Sequence, residues 1–139
     1  MIVVDTNILA YYALPGPRSE DAALLTRRDR LWAAPLLWRS EFRNVLAGHM
    51  RLEGMQRDKA AYAMRLASEA LQGGEHAVDD EAVLELLTQS KCSAYDCEFV
   101  ALANALKTVL VTEDKALLKA FPKVCRLLTE ANAGKLTRA

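Results

Sequence analysis

The sequence is poor in cysteine. Three of its 139 residues are cysteines, Cys92, Cys97 and Cys125, and no two of them form a CxxC pair. An odd number of cysteines in a short chain argues against a disulfide framework, and the missing pair argues against zinc held by sulfur. We therefore expect reduced thiols and a cytoplasmic protein.

Targeting and membrane-spanning patterns are also lacking. The chain starts with Met-Ile-Val-Val-Asp, so an acid stands at position 5 and no basic segment precedes an apolar one. No apolar run approaches the roughly 18 residues that a membrane-spanning helix needs. We expect a soluble protein that is not exported and has no membrane partner.

The sequence has no excess of charge of either sign. Lysine plus arginine and aspartate plus glutamate number 18 each, which gives a formal net charge of zero. No overall basic field would gather a nucleic acid, so a polyanionic partner has to be held by local features. Hydrophobic residues make up 52% of the chain, enough for one core. We expect a single domain over 1–139, with a loose tail from about 132 to 139.

Strand and helix patterns alternate along the chain. Short apolar runs predict strands at 2–4, 31–33, 108–111 and 124–127. Helical spacing and capping residues predict helices at 19–28, from Pro35 to near 54, and at 56–72, 79–89, 93–106 and 112–121. This alternation predicts an α/β fold with helices on both faces of a mainly parallel sheet, and ligands bind beyond the carboxyl ends of such strands.

Four acidic residues interrupt apolar patterns. Asp5 ends the first predicted strand, and Glu41 lies mid-helix in the same stripe as apolar residues four positions away on either side. Asp96 and Asp114 each precede a pair of apolar residues by three and four positions, so their side chains face the core side of a helix. Two carboxylates 4 Å apart repel by about 4 kcal/mol at an effective dielectric of 20, so a cluster of four requires a cation. Carboxylate ligands favour Mg²⁺ or Mn²⁺ over zinc.

Each acid also has a purely structural alternative. Asp96 could belong to a capping arrangement with Ser93, and Asp114 could interact with the dipole of its own helix. Glu41 could pair with an arginine inside the fold, and Asp5 could only set a turn. The conjunction of four such acids favours a functional cluster over four separate structural roles.

Four short segments carry these acids: VVDTNIL, PLLWRSEFRNVL, SAYDCEFVALA and LVTEDKALL. In this order they resemble the motifs of the PIN-domain ribonucleases, and among them the small VapC-type toxins of type II toxin–antitoxin pairs. The family acids fall on Asp5, Glu41, Asp96 and Asp114. Cys97 and Glu98 stand where the family more often has small or apolar residues.

The resemblance implies an α/β/α sandwich with a central, mainly parallel sheet. It implies Mg²⁺ or Mn²⁺ bound by the four acids, with Asn7 and Thr112 orienting the ligands, and endonucleolytic cleavage of structured RNA by metal-activated water. It also implies a homodimer and a cognate antitoxin protein whose tail lies across the acidic groove. Apolar surface for those contacts is expected among Leu52, Met55, Tyr62, Met64 and Leu66.

Because the net charge is zero, we expect the RNA to be gripped by basic residues around the acidic pocket. The candidates are Arg27, Arg28, Arg30, Arg39, Arg43 and Lys91.

Other functions compete with the toxin hypothesis. One is an RNA-processing nuclease outside a toxin–antitoxin pair, and another is a non-catalytic RNA-binding module of the same fold. A phosphatase that forms an aspartyl-phosphate on Asp5 normally needs a second aspartate two residues later, where this chain has Asn7. A degenerate binding module has no reason to keep the cost of clustered charge.

Overall fold

Five short parallel strands form the central sheet of the computed structural model, which describes residues 1–139. The strands are β1 (Ile2–Val4), β2 (Trp32–Pro35), β3 (Glu75–His76), β4 (Leu110–Val111) and β5 (Cys125–Arg126). Their order across the sheet is β3-β2-β1-β4-β5, so the first strand lies in the middle. β1, β2 and β4 are buried throughout, as a parallel sheet covered on both faces requires.

Eight helices connect and cover the strands. They are α1 (Thr6–Ala13), α2 (Ser19–Arg28), α3 (Trp38–Leu52), α4 (Arg57–Ala70), α5 (Asp80–Gln89), α6 (Ala94–Ala105), α7 (Lys115–Ala120) and α8 (Leu128–Asn132). The chain adds β2 and β3 on one side of β1 and then β4 and β5 on the other side. Because parallel crossovers are right-handed, α1–α4 pack on one face of the sheet and α5–α7 on the other. The predicted α/β sandwich with a parallel sheet is confirmed. None of the helices combines the length and apolarity that crossing a bilayer requires.

Pro35 ends β2, and the prediction that it opens the following helix is wrong. The pairing of Val3 with Ala33 sets Pro35 level with Asp5, where β1 has already ended. The missing N–H of the proline therefore leaves no ladder hydrogen bond unmade on that side. Helix α3 begins three residues later, at Trp38.

The third strand, absent from the predicted elements, depends on a close contact between two backbones. A Cβ atom on Gly74 would lie 2.0 Å from the carbonyl oxygen of Trp32. With glycine there, the N–H of Ala34 donates to the Gly74 carbonyl at 2.9 Å, and β3 continues that ladder beside β2.

The C-terminal residues, expected to be loose, make specific contacts. Helix α8 buries Leu128 completely, and the buried guanidinium of Arg126 donates to the carbonyl of Thr137 at 2.6 Å. Arg138 donates to the carbonyl of Thr108 at 2.8 Å, and the N–H of Ala139 donates to Lys123 at 3.2 Å. The tail is held at the edge strand β5 because the guanidinium of Arg126 donates to backbone carbonyls and has no carboxylate partner.

Candidate active site

The four acids line one pocket of about 250 Å³ at the carboxyl end of the sheet. Asp5 directly follows β1, and Asp114 lies three residues beyond β4, which pairs with β1. Because parallel strands end at the same edge, the two carboxyl groups meet there. Helices α3 and α6 add Glu41 and Asp96 from their first turns. The convergence expected from the sequence is found in the structure, and the catalytic and metal-binding roles of the four acids stay predictions.

Asp5 is the most buried member of this group, with 7% of its surface exposed. It caps α1: its Oδ1 accepts the N–H of Ile8 at 3.0 Å, and its Oδ2 accepts the hydroxyl of Thr112. Burial raises the pKa of Asp5 to about 6 against the lowering effect of these hydrogen bonds, and the charges of Asp114 and Glu41 raise it further. Asp5 therefore has the local structural role of the turn-setting alternative, as the N-cap of α1, and its carboxylate also lines the pocket.

Thr112 joins Asp5 to Asp114. Its hydroxyl donates to Asp5 and accepts the backbone N–H of Asp114 at 3.0 Å, and its side chain is fully buried. Asp114 in turn caps α7, since its Oδ1 accepts the N–H of Leu117 at 3.0 Å. Asp114 is thus the N-cap of α7 and not the first-turn acid of the dipole alternative, and it lines the pocket as well. The predicted orienting role of Thr112 has a geometric basis in these two hydrogen bonds.

Glu41 is half-buried and has no basic partner. Helix α3 is fixed in the core by the fully buried Trp38 and Phe42, whose rings pack edge to face 5.9 Å apart. The carboxylate of Glu41 accepts the hydroxyl of Thr6 at 2.7 Å, and no arginine or lysine pairs with it, so the internal ion-pair alternative is wrong. Burial raises the pKa of Glu41, and the charge of Asp96 adds to this effect.

Asp96 lies in the first turn of α6, whose N-cap is Ser93. The Ser93 hydroxyl accepts the backbone N–H of Asp96 at 3.1 Å, and the carboxylate of Asp96 lines the pocket. Burial raises the pKa of Asp96, and the nearby charge of Asp114 raises it further. The capping alternative and the pocket role are therefore compatible at this residue.

Asn7 and Asn44 complete the polar lining. Asn7 is exposed at the rim, and the structure gives its side chain no hydrogen bond to a carboxylate, unlike Thr112. Asn44 was missed as a candidate site residue, although its position three residues after Glu41 on the same helix face is a usable signal.

The pocket is suited to a divalent cation by the chemistry of its donors. It has four carboxyl groups and two side-chain amides, and no lysine or arginine lines it. Oxygen ligands of this kind suit Mg²⁺ or Mn²⁺. No three of the acidic, histidine or cysteine side chains are grouped closely enough to hold one ion. The carboxylates of Asp5, Glu41 and Asp114 each accept a hydrogen bond from within the fold. Closing around an ion therefore requires rotation of side chains within the pocket.

Four of the six basic residues expected around the pocket lie elsewhere or are already paired. Arg27 and Arg28 end α2 and Arg30 precedes β2, so all three lie at the amino end of the sheet, opposite the acids, and their predicted position is wrong. Arg39 forms a two-point ion pair with Glu75, at 2.7 and 3.1 Å. The remaining two candidates, Arg43 and Lys91, are exposed and form no ion pair.

Comparison with known proteins gives one family match and several matches of fold. The family model for the PIN domain matches residues 2–124. The crystal structure of PAE2754 from Pyrobaculum aerophilum is similar at 23% identity and TM-score 0.71, covering 96% of this chain and 94% of that one. FitAcB from Neisseria gonorrhoeae matches at 17% identity and TM-score 0.70, covering 93% and 99%. A toxin–antitoxin complex from Klebsiella pneumoniae matches at 16% identity and TM-score 0.64, covering 92% and 98%. No curated protein sequence matches the chain significantly.

Proposed function

This chain belongs to the PIN-domain family, and from that premise we propose that it is a metal-dependent endoribonuclease, the toxin of a VapBC-type pair. Proteins of this family are generally nucleases. The observation that carries the proposal is the meeting of four carboxyl groups in one pocket without a neutralising lysine or arginine. Such a cluster is costly to fold around, and a binding module would gain nothing from it.

In this proposal Asp5, Glu41, Asp96 and Asp114 hold Mg²⁺ or Mn²⁺. The bound cation would supply a more acidic water molecule and neutralise charge on the scissile phosphate. The hydroxyl of Thr112 donates to the carboxylate of Asp5 and connects it to Asp114, and all four acids line the pocket. No histidine lines the pocket to activate a ribose 2′-hydroxyl, which favours hydrolysis by water and products with 5′-phosphate and 3′-hydroxyl ends.

Asp5→Asn tests the catalytic part of the proposal. Asparagine is also a good N-cap, so α1 keeps its first hydrogen bond while the pocket loses one charge. We expect the variant to lose at least about 100-fold in cleavage rate on a pool of small folded RNAs, the scale seen when one charge-stabilising group is removed. The control is Asp58→Asn, which changes a fully exposed acid at the start of α4.

Two results would remove parts of this proposal. Undiminished cleavage by the wild type in EDTA would exclude a metal-dependent mechanism. A folded wild type that binds RNA and never cuts it in Mg²⁺ or Mn²⁺ would instead support the binding-module alternative.

The antitoxin partner is a further part of the proposal. An apolar groove beside the acidic pocket is lined by Leu36, Val83, Leu84 and Leu87, and Glu98 also lies in its lining. Burial raises the pKa of Glu98, and the charge of Glu41 adds to this. A peptide with apolar residues next to a cationic one would complement this surface. One of the similar structures is described as a toxin–antitoxin complex.

Co-purification with the product of the adjacent reading frame tests the partner. The expected result is a stable complex whose cleavage activity is suppressed and returns when the partner is digested away. If the adjacent frame encodes no small DNA-binding protein, the chain is better described as an RNA-processing nuclease outside a toxin–antitoxin pair.

We also propose a homodimer, formed through the ends of α3 and α4. Leu52 and Tyr62 are exposed by 87% and 54%, whereas Met55, Met64 and Leu66 are partly buried against the core. Light scattering on the wild type should give twice the mass of one chain, and Leu52→Glu should shift it to the monomer. A wild type that is monomeric at high concentration would contradict the dimer.

A further inference from the structure

A second polar pocket lies at the opposite end of the sheet from the acids. It has a volume of about 350 Å³, and its walls include Tyr12, Arg27, Arg30, Trp32 and Glu69. We call it the arginine pocket. The proposed cleavage reaction makes no use of it.

Three arginines in and beside this pocket have no acidic partner. Arg27, Arg28 and Arg30 are exposed, and none of them forms an ion pair. The acid between them, Asp29, already binds the N-terminal amine at 2.8 Å and the N–H of Leu31 at 2.8 Å. Arg27 and Arg28 complement the dipole at the end of α2, but Arg30 lies beyond the helix and has no such role. Glu69 is the one acid in the wall, so the arginine pocket carries a net positive charge.

Trp32, one of the residues that line the arginine pocket, has a buried indole N–H without an acceptor. Trp32 is 2% exposed, and its indole N–H has no hydrogen-bond partner in the chain. Tyr12 packs edge-on against the same ring, with centroids 5.5 Å apart. Buried indole N–H groups normally find an acceptor. The two free guanidinium groups in one pocket favour an anionic ligand that is rich in acceptor oxygens. The indole nitrogen of Trp32 is itself buried, so the arginines are the groups that contact such a ligand first.

We propose that the arginine pocket binds a backbone phosphate of the substrate RNA, several nucleotides from the bond that is cut. This inference rests on the proposed function. The arginines of this pocket supply the local positive charge that a chain of zero net charge needs in order to hold RNA. Each guanidinium group can donate two parallel hydrogen bonds to phosphate oxygens.

The spacing between the two pockets suits one strand of nucleic acid. Trp32 pairs with Ile2, and Asp5 follows three residues later, which is about 10 Å along the sheet at 3.3 Å per residue. Helix α1 gives a similar value, since Thr6 in the acidic pocket and Tyr12 in the arginine pocket are about 9 Å apart at 1.5 Å per residue. β1 and most of α1 are buried, so RNA has to pass over the surface between the two pockets and about 10 Å is the lower limit of its path. A helical strand presents a phosphate about every 3.4 Å along its axis. The anchored phosphate is therefore at least about three nucleotides away from the scissile one.

Paired arginine variants test the anchor. Arg27→Gln/Arg30→Gln and, as a control of equal charge, Arg51→Gln/Arg57→Gln are made in the Asp5→Asn background, where the RNA is not consumed. All four positions are exposed, so folding is preserved. We expect the first pair to weaken binding of a folded RNA about tenfold and to lower the salt slope by about 1, as expected for one lost phosphate contact. The control pair should leave both quantities close to their starting values.

The indole N–H resonances give a readout that is independent of cleavage. Adding RNA should shift the resonance of Trp32 and leave that of Trp38, whose N–H already donates to Glu75 at 2.6 Å. Inorganic phosphate at the same phosphate concentration separates an RNA subsite from a general small-anion site, because equal shifts by both would overturn the RNA assignment.

Failure of the anchor and failure of the proposed function are distinguishable. Equal RNA affinity of the two double variants would overturn the anchor while leaving cleavage by the acidic pocket intact. A four-nucleotide RNA that covers only the acidic pocket should be cut equally by the wild type and by Arg27→Gln/Arg30→Gln. Loss of cleavage of this short RNA in the arginine variant would also contradict the anchor, whereas a wild type that cuts neither RNA contradicts the proposed function.

Discussion

At the scale of single residues, the dominant feature is a carboxyl group that is buried without a cation. The sequence signals its position, because Asp5 interrupts an apolar run. It does not reveal which partners hold the carboxylate, since Thr112 lies 107 residues away and reaches Asp5 only through strand pairing. Asn7 illustrates the same limit, because its motif position predicts an orienting role and its side chain has no bond to a carboxylate.

The raised pKa of Asp5 has a consequence for stability that Asp5→Asn should reveal. The pKa rises from 3.8 to about 6, so the folded state binds the proton more tightly than the unfolded chain does. Stability of the metal-free protein therefore falls as the pH rises from about 4 to 6, on the order of 3 kcal/mol for this one group. We expect Asp5→Asn to be more stable than the wild type in EDTA at pH 7.5 and nearly equal to it at pH 4, measured by urea unfolding. Equal stability at both values would show that Asp5 is well solvated.

Thr112→Val isolates the hydroxyl that joins two of the acids. The change keeps the shape of the buried side chain and leaves the N–H of Asp114 without its acceptor. We expect a loss of about 1–3 kcal/mol in the free energy of unfolding. Thr129→Val on α8 is the control, since that threonine is exposed and its hydroxyl makes no hydrogen bond within the chain. A change within 0.5 kcal/mol, the usual range for surface substitutions, would mean that the hydroxyl holds neither acid.

At the scale of elements, the sequence predicts long amphipathic helices better than short segments. The predicted bounds of α2 and α5 agree with the structure to within one residue because acids occupy the first turn of each, and Asp79 also caps α5. Helix α1 was missed, since Asp5-Thr6-Asn7 is typical of a turn and becomes a helix start only when Asp5 caps it. β3 has two residues and no periodicity to detect, and α8 has five, so both depend on tertiary packing.

Gly74→Ala tests the backbone contact that attaches β3. The new Cβ would overlap the Trp32 carbonyl, so β2 and β3 must separate, and we expect a loss of about 2–4 kcal/mol. Gly48→Ala in α3 is the matched control: nothing lies within 4 Å of its Cβ position, and alanine should stabilise the helix by about 0.5–1 kcal/mol. Opposite signs of the two changes in melting temperature are expected. Equal effects would mean that the contact at β3 does not constrain the fold.

At the scale of the whole molecule, charge is separated into two ends of one sheet. The acids lie at the carboxyl ends of the strands and a group of unpaired arginines lies near the amino end, although the net charge is zero. Composition gives only the sum of the charges. Their separation follows from topology, because α1 and α2 carry the chain back along the sheet between Asp5 and Arg30.

A divalent ion should stabilise the folded protein as a whole. Mg²⁺ or Mn²⁺ that binds only the native pocket raises stability by about 2.7 kcal/mol when its free concentration is 100 times its dissociation constant. We expect a higher melting temperature in Mn²⁺ than in EDTA at pH 7.5, and a smaller increase at pH 5, where Asp5 is largely protonated. Asp5→Asn should lose most of the increase, and Asp58→Asn should keep it. An equal increase in all three proteins would point to metal binding elsewhere.

The central position of β1 has a consequence for synthesis of the protein. Val3 pairs with Leu110 and Val4 with Val111, so the middle of the sheet stays open on one side until residues near position 110 have been translated. Asp114, the last of the four acids, leaves the ribosome later still. A ribosome-bound fragment that stops short of it cannot assemble the four-acid pocket, so the cleavage proposed for that pocket would begin only after residue 114 has been translated.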